Sequence, residues 1–322
     1  MTISSSHSGL DLSEGPHGRG RIIQIGPDRV MEAIGRLLAV AGRVDRAHAN
    51  RFLEFAAANR IPLERLWSFE NSQGELLASV LAVPSPGRTA MMFVTQPDSP
   101  GRVVVVANVL NHACMEFNES EVNLAQALLE PSETLLVRAF VRAEFRRLAD
   151  LTYLERPLGR MHPSPAPKWP ANAEIEQYRP ELDREICTVL ERSYQDTLDC
   201  PGLVGLRQTA DVFAGHRATG LFEPGLWTVL RIDGRAEGVL LLNPSPVQKT
   251  VELVYLGLSP AVRGCGLGRE LLRHGLQLLK GRSERCLTLA VDDQNEPALR
   301  VYQREGFRRA LRRVAMIRSI RI

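Results

Sequence analysis

The chain has 322 residues, 44% hydrophobic and 24% charged, which is the composition of a globular protein with two domains rather than one small core. A net charge of +3, from 40 basic and 37 acidic residues, makes a nucleic-acid partner an unlikely expectation. No run approaches the roughly 18 apolar residues of a membrane span, so no membrane partner is expected.

Residues 1–20 are polar and rich in glycine and serine, and read as a disordered tail without the apolar stretch of a secretory signal. A first domain is expected over 21–156. Its segment 66–94 matches 226–254 at an offset of 160, with Leu66, Trp67, Gly74 and Pro84 falling on Leu226, Trp227, Gly234 and Pro244. Ser99 and Pro100 fall on Ser259 and Pro260, and near the ends the offset becomes 162, so that Phe145 falls on Phe307. A repeat of this length is a duplicated domain rather than a solenoid unit. Residues 157–173 carry five prolines and read as a linker, which leaves 174–322 as the second domain.

In that second half, 174–178 read as a short strand, and 181–194 and 206–217 as helices. Residues 226–232 and 236–243 form a hairpin turned at Asp233-Gly234, a favoured hairpin dipeptide. Residues 250–258 are a longer strand. The stretch 267–280 is a helix whose polar positions 269, 273, 277 and 280 share one face. A strand at 286–291 follows, then a helix over 295–305 with Asn295 as N-cap, Pro297 in its first turn and Gly306 at its stop. The last stretch, 308–321, reads as strand. Its arginines (308, 309, 312, 313, 318 and 321) form a basic strip, read as the solvent side of a terminal hairpin in preference to a contact for a ligand phosphate or nucleic acid.

Five cysteines without a CxxC pair argue for a reducing cytoplasm, with neither a disulfide framework nor a zinc site. The scattered histidines give no ligand spacing, so no metal is expected. Between the strand at 250–258 and the helix at 267 lies Arg263-Gly264-Cys265-Gly266-Leu267-Gly268. Strand, glycine loop and helix start make a phosphate cradle, because glycines leave backbone N–H groups uncovered and the helix start favours an anion. The loop is not a Walker A sequence, since no Gly-Lys-Ser/Thr follows, and its spacing does not fit the dinucleotide fingerprint G-x-G-x-x-G.

The arrangement resembles the GNAT family of acetyl-CoA-dependent N-acyltransferases. Arg263-x-x-Gly266-x-Gly268 is similar to that family's pyrophosphate loop. Asn295-x-x-Ala298-x-x-x-Tyr302, followed by Glu305-Gly306-Phe307, is similar to its second signature. The resemblance implies an α/β (α+β) fold of two tandem domains, each a mixed, mostly antiparallel central sheet flanked by helices. It implies an N-acetyltransferase that moves an acetyl group from acetyl-CoA to a primary amine by direct attack. The acceptor would be a small molecule or a peptide, and the chain a monomer or homodimer. The alternative is a catalytically weak acyl-CoA sensor or scaffold.

The resemblance also assigns residues. Leu256, Leu258, Arg263, Gly264, Cys265, Gly266, Leu267, Gly268, Arg269 and Asn295 would hold the coenzyme, and a strand N–H near Gly257 and Leu258 would face the thioester carbonyl. Tyr302 would be the acid, since a phenol of pKa near 10 can protonate a thiolate of pKa near 8.5. The other reading of Tyr302 is a core tyrosine packed on Ala298. Glu252 would be the base, its pKa raised inside the apolar run V-E-L-V-Y-L, or else a glutamate on an open strand face. Asp196 and Asp199 would anchor a cationic amine or cap a turn beside Pro201. In the first half the offsets put Val104, Val106 and Asn108 on the three loop glycines, Glu133 on Asn295 and Phe140 on Tyr302. Branched side chains at 104 and 106 would fill the space of a pyrophosphate, so the first domain reads as a degenerate copy.

Overall fold

A computed structural model describes residues 11–12, 20–40, 42–118, 120–159 and 164–320. The expected tail falls almost entirely outside the described residues, as does part of the linker.

In chain order the first half runs β1 (Asp11–Leu12), β2 (Gly20–Gln24), α1 (Val30–Leu37), α2 (Arg46–Ala58), β3 (Leu66–Asn71), β4 (Leu76–Ser85), β5 (Thr89–Val94), α3 (Pro100–Met115), β6 (Leu124–Leu129), α4 (Thr134–Arg142) and β7 (Arg146–Pro157). The second half runs β8 (Ala173–Gln177), α5 (Asp183–Ser193), α6 (Thr209–Ala218), β9 (Trp227–Ile232), β10 (Arg235–Ser245), β11 (Thr250–Leu258), α7 (Leu267–Leu278), β12 (Cys286–Asp292), α8 (Glu296–Arg304) and β13 (Arg308–Ser319). From β2 and β8 onward the two halves have the same order of elements, as a duplication requires.

The chain forms two compact units, Met1–Arg147 with Val314–Ile322, and Leu148–Arg313. Each takes one strand from the other half of the sequence. In the first unit Val314 to Ser319 of β13 pair antiparallel with β6. In the second, Leu151 to Pro157 of β7 pair antiparallel with β12. β13 is therefore not half of a terminal hairpin. Its arginines do not form one strip: Arg312 pairs with Asp293, and Arg318 donates to Asn111 Oδ1 (2.7 Å) and pairs with Glu144. Arg321 lies outside the described residues.

In the second unit the strand order is β7-β12-β11-β10-β9-β8, a mixed and mostly antiparallel sheet with helices on its faces. The turn between β9 and β10 has Asp233 and Gly234 both at positive φ, 51° and 73°, as a type I′ hairpin demands. α5 buries Ile186, Val189, Leu190 and Ser193, the i, i+3, i+4, i+7 stripe of an amphipathic helix. Trp227 is fully buried, and its indole N–H donates to Asn243 Oδ1 at 2.7 Å. The Asn243 amide donates in turn to His216 O and Thr219 O, which ties the end of α6 to the sheet. Asn295 Oδ1 caps α8 by accepting from Ala298 N, and Gly306 at φ +85° ends it.

The polar face expected on α7 does not simply meet water. Gln277 Nε2 donates to Ser164 O at 2.8 Å, and Glu270 accepts from Lys168 N at 2.7 Å. The ring of Trp169 lies edge-on to His274. The proline-rich segment is thus a strap laid along α7.

The first unit repeats the pattern with differences. Trp67 takes the place of Trp227, but Val83 stands where Asn243 would be, and the buried Trp67 indole N–H finds no partner among the described residues. The ring of Trp67 lies 4.6 Å from that of His112 instead. Phe140 takes the place of Tyr302 and packs edge-on to Phe145 at 4.9 Å, as Tyr302 packs on Phe307 at 5.5 Å. One expectation is corrected here. Val104, Val106 and Asn108 are not loop residues, because α3 begins at Pro100, directly where the matching Ser-Pro of the second half opens its glycine loop. A helix turn carries those side chains, and Val106 belongs to the core of the first unit. The segment that joins β5 to α3 is 95–99, which contains no glycine.

Candidate active site

The sheet of the second unit splays. β11 and β12 run parallel and pair only through Thr250, Val251 and Glu252 with Cys286, Leu287 and Thr288. Beyond Glu252 one edge of β11 is left without its neighbour. The helix α7 starts at the open end of this wedge, and the glycine loop lies across that start.

Gly264 and Gly266 have φ of +78° and +83°, a region that costs side-chain-bearing residues about 1–2 kcal/mol. A Cβ added at either would meet nothing within 4 Å, so the space in front of the loop is open. The backbone N–H groups of 264–268 donate to no other group among the described residues. Five free donors at a helix start, with no side chain covering the glycines, fit a pyrophosphate. A cavity of about 360 Å³ opens beside the loop between Cys265, Gly266, Leu267 and Glu270 on one side and Lys168, Trp169 and Pro170 of the strap on the other. Leu267 turns inward to the core, and Cys265 is exposed.

Three of the residues expected at the coenzyme hold protein: Arg263, Asn295 and Arg269, whose Nε donates to the buried Glu305 carboxylate. The Arg263 guanidinium donates to Leu258 O (3.1 Å), Ser193 O (2.8 Å) and Gln195 O (2.7 Å). A cation at the end of α5 satisfies carbonyls that the helix leaves without partners. Arg263 therefore clamps the α5 end to the β11 end and fixes where the loop begins. Asn295 spends its side-chain oxygen on the α8 cap.

A register shift between Leu241 and Leu242 of β10, opposite Leu253 and Tyr255, changes which face the β11 side chains take. Before it, Val251 and Leu253 pack with α7 residues; after it, Leu256 and Leu258 do. Tyr255 turns to the α5 face, where its hydroxyl lies 2.8 Å from Ser193 Oγ and its ring stacks on His216. Gly257 is explained by this ring. A Cβ there would sit 2.4 Å from a Tyr255 ring carbon and 2.9 Å from Ser193 Oγ. Gly257→Ala is expected to lower stability by about 1–3 kcal/mol through overpacking, read by chemical denaturation. An unchanged midpoint would show that the ring has room to swing.

Tyr302 is buried, with its ring in the core layer of α7 and β12. Burial raises its pKa first, and the nearby Asp199 and Tyr255 raise it further, so the phenol keeps its proton at neutral pH. Asp199 comes from the loop after α5. Glu252 sits at the last paired position of β11, beside Asn243 and Thr288. Burial pushes its carboxyl above the usual range, and no protein donor offsets the cost among the described residues.

Three further features stand near these residues and were not singled out by the sequence. Asp199 and Asp292 form a reciprocal clasp: Asp292 N donates to Asp199 Oδ1, and N of Cys200, the residue after Asp199, donates to Asp292 Oδ2, both at 3.1 Å. Burial holds Asp199 above the ordinary carboxyl range. The clasp locks the loop after α5 to the end of β12, with Cys200 held at φ +47°. Tyr153 of β7, in the half of the sequence assigned to the first domain, lies in the field of Glu252; burial chiefly raises its pKa and Glu252 adds to this. His216, held neutral by burial and by Arg207 with a pKa down to about 4, forms part of the wall behind Tyr255.

Residues 190–307 match the sequence model of the acetyltransferase (GNAT) family. This span contains the glycine loop, the splayed strands and Tyr302. Among relatives, a mycothiol acetyltransferase of Frankia alni is 30% identical over 171 residues, covering 50% of this chain and 50% of the relative. A mycothiol acetyltransferase of Frankia casuarinae is 28% identical over 235 residues, covering 66% and 63%. The chain thus spans about half the length of the first of these relatives and less than two thirds of the second. A GCN5-related N-acetyltransferase from Sphaerobacter thermophilus has a similar fold, with TM-score 0.60, 19% identity and coverage of 94% of this chain and 96% of that one. A tandem GNAT protein from the clavulanic acid biosynthesis pathway matches with TM-score 0.52, 13% identity and coverage of 94% and 98%. At these identities the likeness is one of fold, and the fold is the expected tandem α/β (α+β) arrangement.

Among the described residues no group of three or more His, Cys, Asp or Glu is placed to hold a metal, and no helix is long and apolar enough to cross a membrane.

Proposed function

We propose that the second unit is an N-acetyltransferase that moves an acetyl group from acetyl-CoA to a primary amine by direct attack. The observation that carries this is the uncovered glycine cradle at the start of α7, opening on the unpaired edge of β11 beside the Tyr302 phenol. The match to the GNAT family model and the mycothiol acetyltransferases among the relatives support acetyl transfer as the reaction class.

Bound acetyl-CoA supplies the acetyl thioester. The N–H groups of 264–268 hold its pyrophosphate, and the free edge of β11 lies along the wedge. A backbone N–H near Gly257 and Leu258 is the proposed oxyanion donor. Glu252, as base, takes the amine proton through water. Tyr302, as acid, gives its proton to the departing thiolate. The first unit takes no coenzyme in this proposal: its β5–α3 segment has no glycine, and Phe140 has no proton to give. The chain acts in the cytoplasm as a monomer or homodimer, on a small-molecule or peptide amine.

The base assignment predicts a pH dependence. Below its raised folded pKa Glu252 is protonated and cannot accept a proton, so kcat/KM falls on the acid side. Glu252→Gln lowers the alkaline plateau by about a hundred- to ten-thousandfold and flattens the acid limb. An acid limb that survives in the variant would move the base elsewhere. Stability runs the other way. A carboxyl whose folded pKa is raised favours the fold below its unfolded pKa, and that contribution is lost as pH rises through the folded pKa. Glu252→Gln therefore melts higher than the wild type at pH 8, and the gap closes toward pH 4.

A further inference from the structure

A bulge near the start of β10 puts a carboxylate at the root of the glycine loop. Ala236 pairs with Arg231 and Gly238 with Leu230, so Glu237 is the extra residue on its strand. It stands opposite Ser259, the first residue past the end of β11, and Ser259 N donates to Glu237 O at 2.8 Å. Glu237 is 4% exposed, and Ser259 is fully buried. One carboxylate oxygen accepts from Ser259 Oγ and from the guanidinium of Arg192 near the end of α5. Arg192 also donates to Ala236 O at 3.1 Å, and the exposed Arg235 pairs with the other carboxylate oxygen at 3.3 Å. A buried carboxylate is tolerated only when it is paired and hydrogen-bonded, and this one is both.

The first unit keeps the bulge and lacks the acid. Phe69 pairs with Ala78 and Glu70 with Leu76, which leaves Leu77 as the extra residue at the place of Glu237. Leu77 packs against the core of that unit. Ser99, the match of Ser259, makes no side-chain cap bond there, and α3 starts at the next residue. In the second unit residues 260–266 separate the anchored serine from α7, first as a single 3₁₀ turn over Pro260–Val262 and then as the glycine loop. Glu237 through Arg192, and Arg263 through Ser193 O and Gln195 O, fasten this stretch to the same end of α5. We infer that Glu237 is a positioning residue for the glycine cradle. By holding Ser259 and Arg192 it fixes the point from which the loop departs, so that the loop N–H groups stand ready for the coenzyme pyrophosphate. The inference rests on the coenzyme A reading of that loop. A loop already in place has less freedom to lose on binding, and the ligand binds more tightly for it.

The test is calorimetric titration of the full chain and its variants with coenzyme A, at a temperature where denaturation curves show each of them folded. Glu237→Leu, which carries the side chain of the first unit, should weaken coenzyme A binding by about tenfold, and Ser259→Ala by a similar or smaller factor. The double variant should bind no more weakly than Glu237→Leu alone, because the acid acts through the serine. Glu237→Gln keeps an oxygen that accepts from the serine hydroxyl, and should bind coenzyme A to within about threefold of the wild type. Wild-type affinity in Glu237→Leu, whatever its loss of stability, would make the cluster a structural contact only and overturn the inference. Should that variant fail to fold, unchanged affinity in Ser259→Ala would overturn it equally. Additive losses in the double variant would show that acid and serine act separately, and would overturn the route proposed. Failure of the wild type to bind coenzyme A would overturn the coenzyme reading, and this inference with it.

Discussion

Gly266→Glu abolishes coenzyme A binding and leaves the fold in place. At φ +83° a glutamate costs about 1–2 kcal/mol of backbone strain, which a domain of ordinary stability of about 5–15 kcal/mol withstands. No protein atom lies within 4 Å of the added Cβ, so the strain is not compounded by a clash. The side chain enters the open space before the loop and places a carboxylate where phosphate oxygens belong. Two negative charges about 4 Å apart repel by about 4 kcal/mol near a protein surface, which alone weakens binding by roughly a thousandfold. Circular dichroism should match the wild type, whose titration saturates at one equivalent. Wild-type affinity in the variant would remove the cradle assignment. A second equivalent in the wild type that survives in the variant would place a site in the first unit.

Tyr302→Phe lowers kcat by about a hundred- to ten-thousandfold while coenzyme A affinity stays near that of the wild type. The ring remains, so its contact with Phe307 at 5.5 Å is kept. The chain supplies its own control: Phe140, at the matching place on α4, is fully buried and packs on Phe145 in the same manner. A phenylalanine is therefore compatible with this helix and this core. What the variant loses is a proton held on the phenol by burial and by the field of Asp199. A variant with wild-type turnover would show that the ring acts in packing, or that product release conceals the chemical step.

The local structure around these two positions was legible in the sequence because its physics is local. Glycines forced to positive φ, an Asn cap three residues before Ala298, and an Asp-Gly hairpin turn each declare themselves within a few residues. Long-range features did not. The exchange of β7 and β13 depends on pairings such as Leu154 with Leu289 and Met316 with Ala127, more than a hundred residues apart, which no local pattern encodes. The strap along α7 rests on two backbone groups, Ser164 O and Lys168 N, which any residue provides. Arg263 carries the family's spacing, yet the carbonyls it clamps come from the far end of α5. The shared Ser-Pro at 99 and 259 misled the comparison of the halves, because one opens a helix at once and the other opens a loop. Asp199 could be weighed only as an anchor or a cap, since Asp292, which completes the clasp, lies 93 residues away.

The central claim is the proposed acetyl transfer at the glycine cradle of the second unit, and thiol release tests it most directly. Purified protein with acetyl-CoA and a panel of primary amines should release free thiol in step with amide formed, dependent on the amine. The signal should disappear with Gly266→Glu and fall by two or more orders of magnitude with Tyr302→Phe. Tight acetyl-CoA binding with no amine-dependent thiol release across small-molecule and peptide amines would contradict the account and make the domain an acyl-CoA sensor.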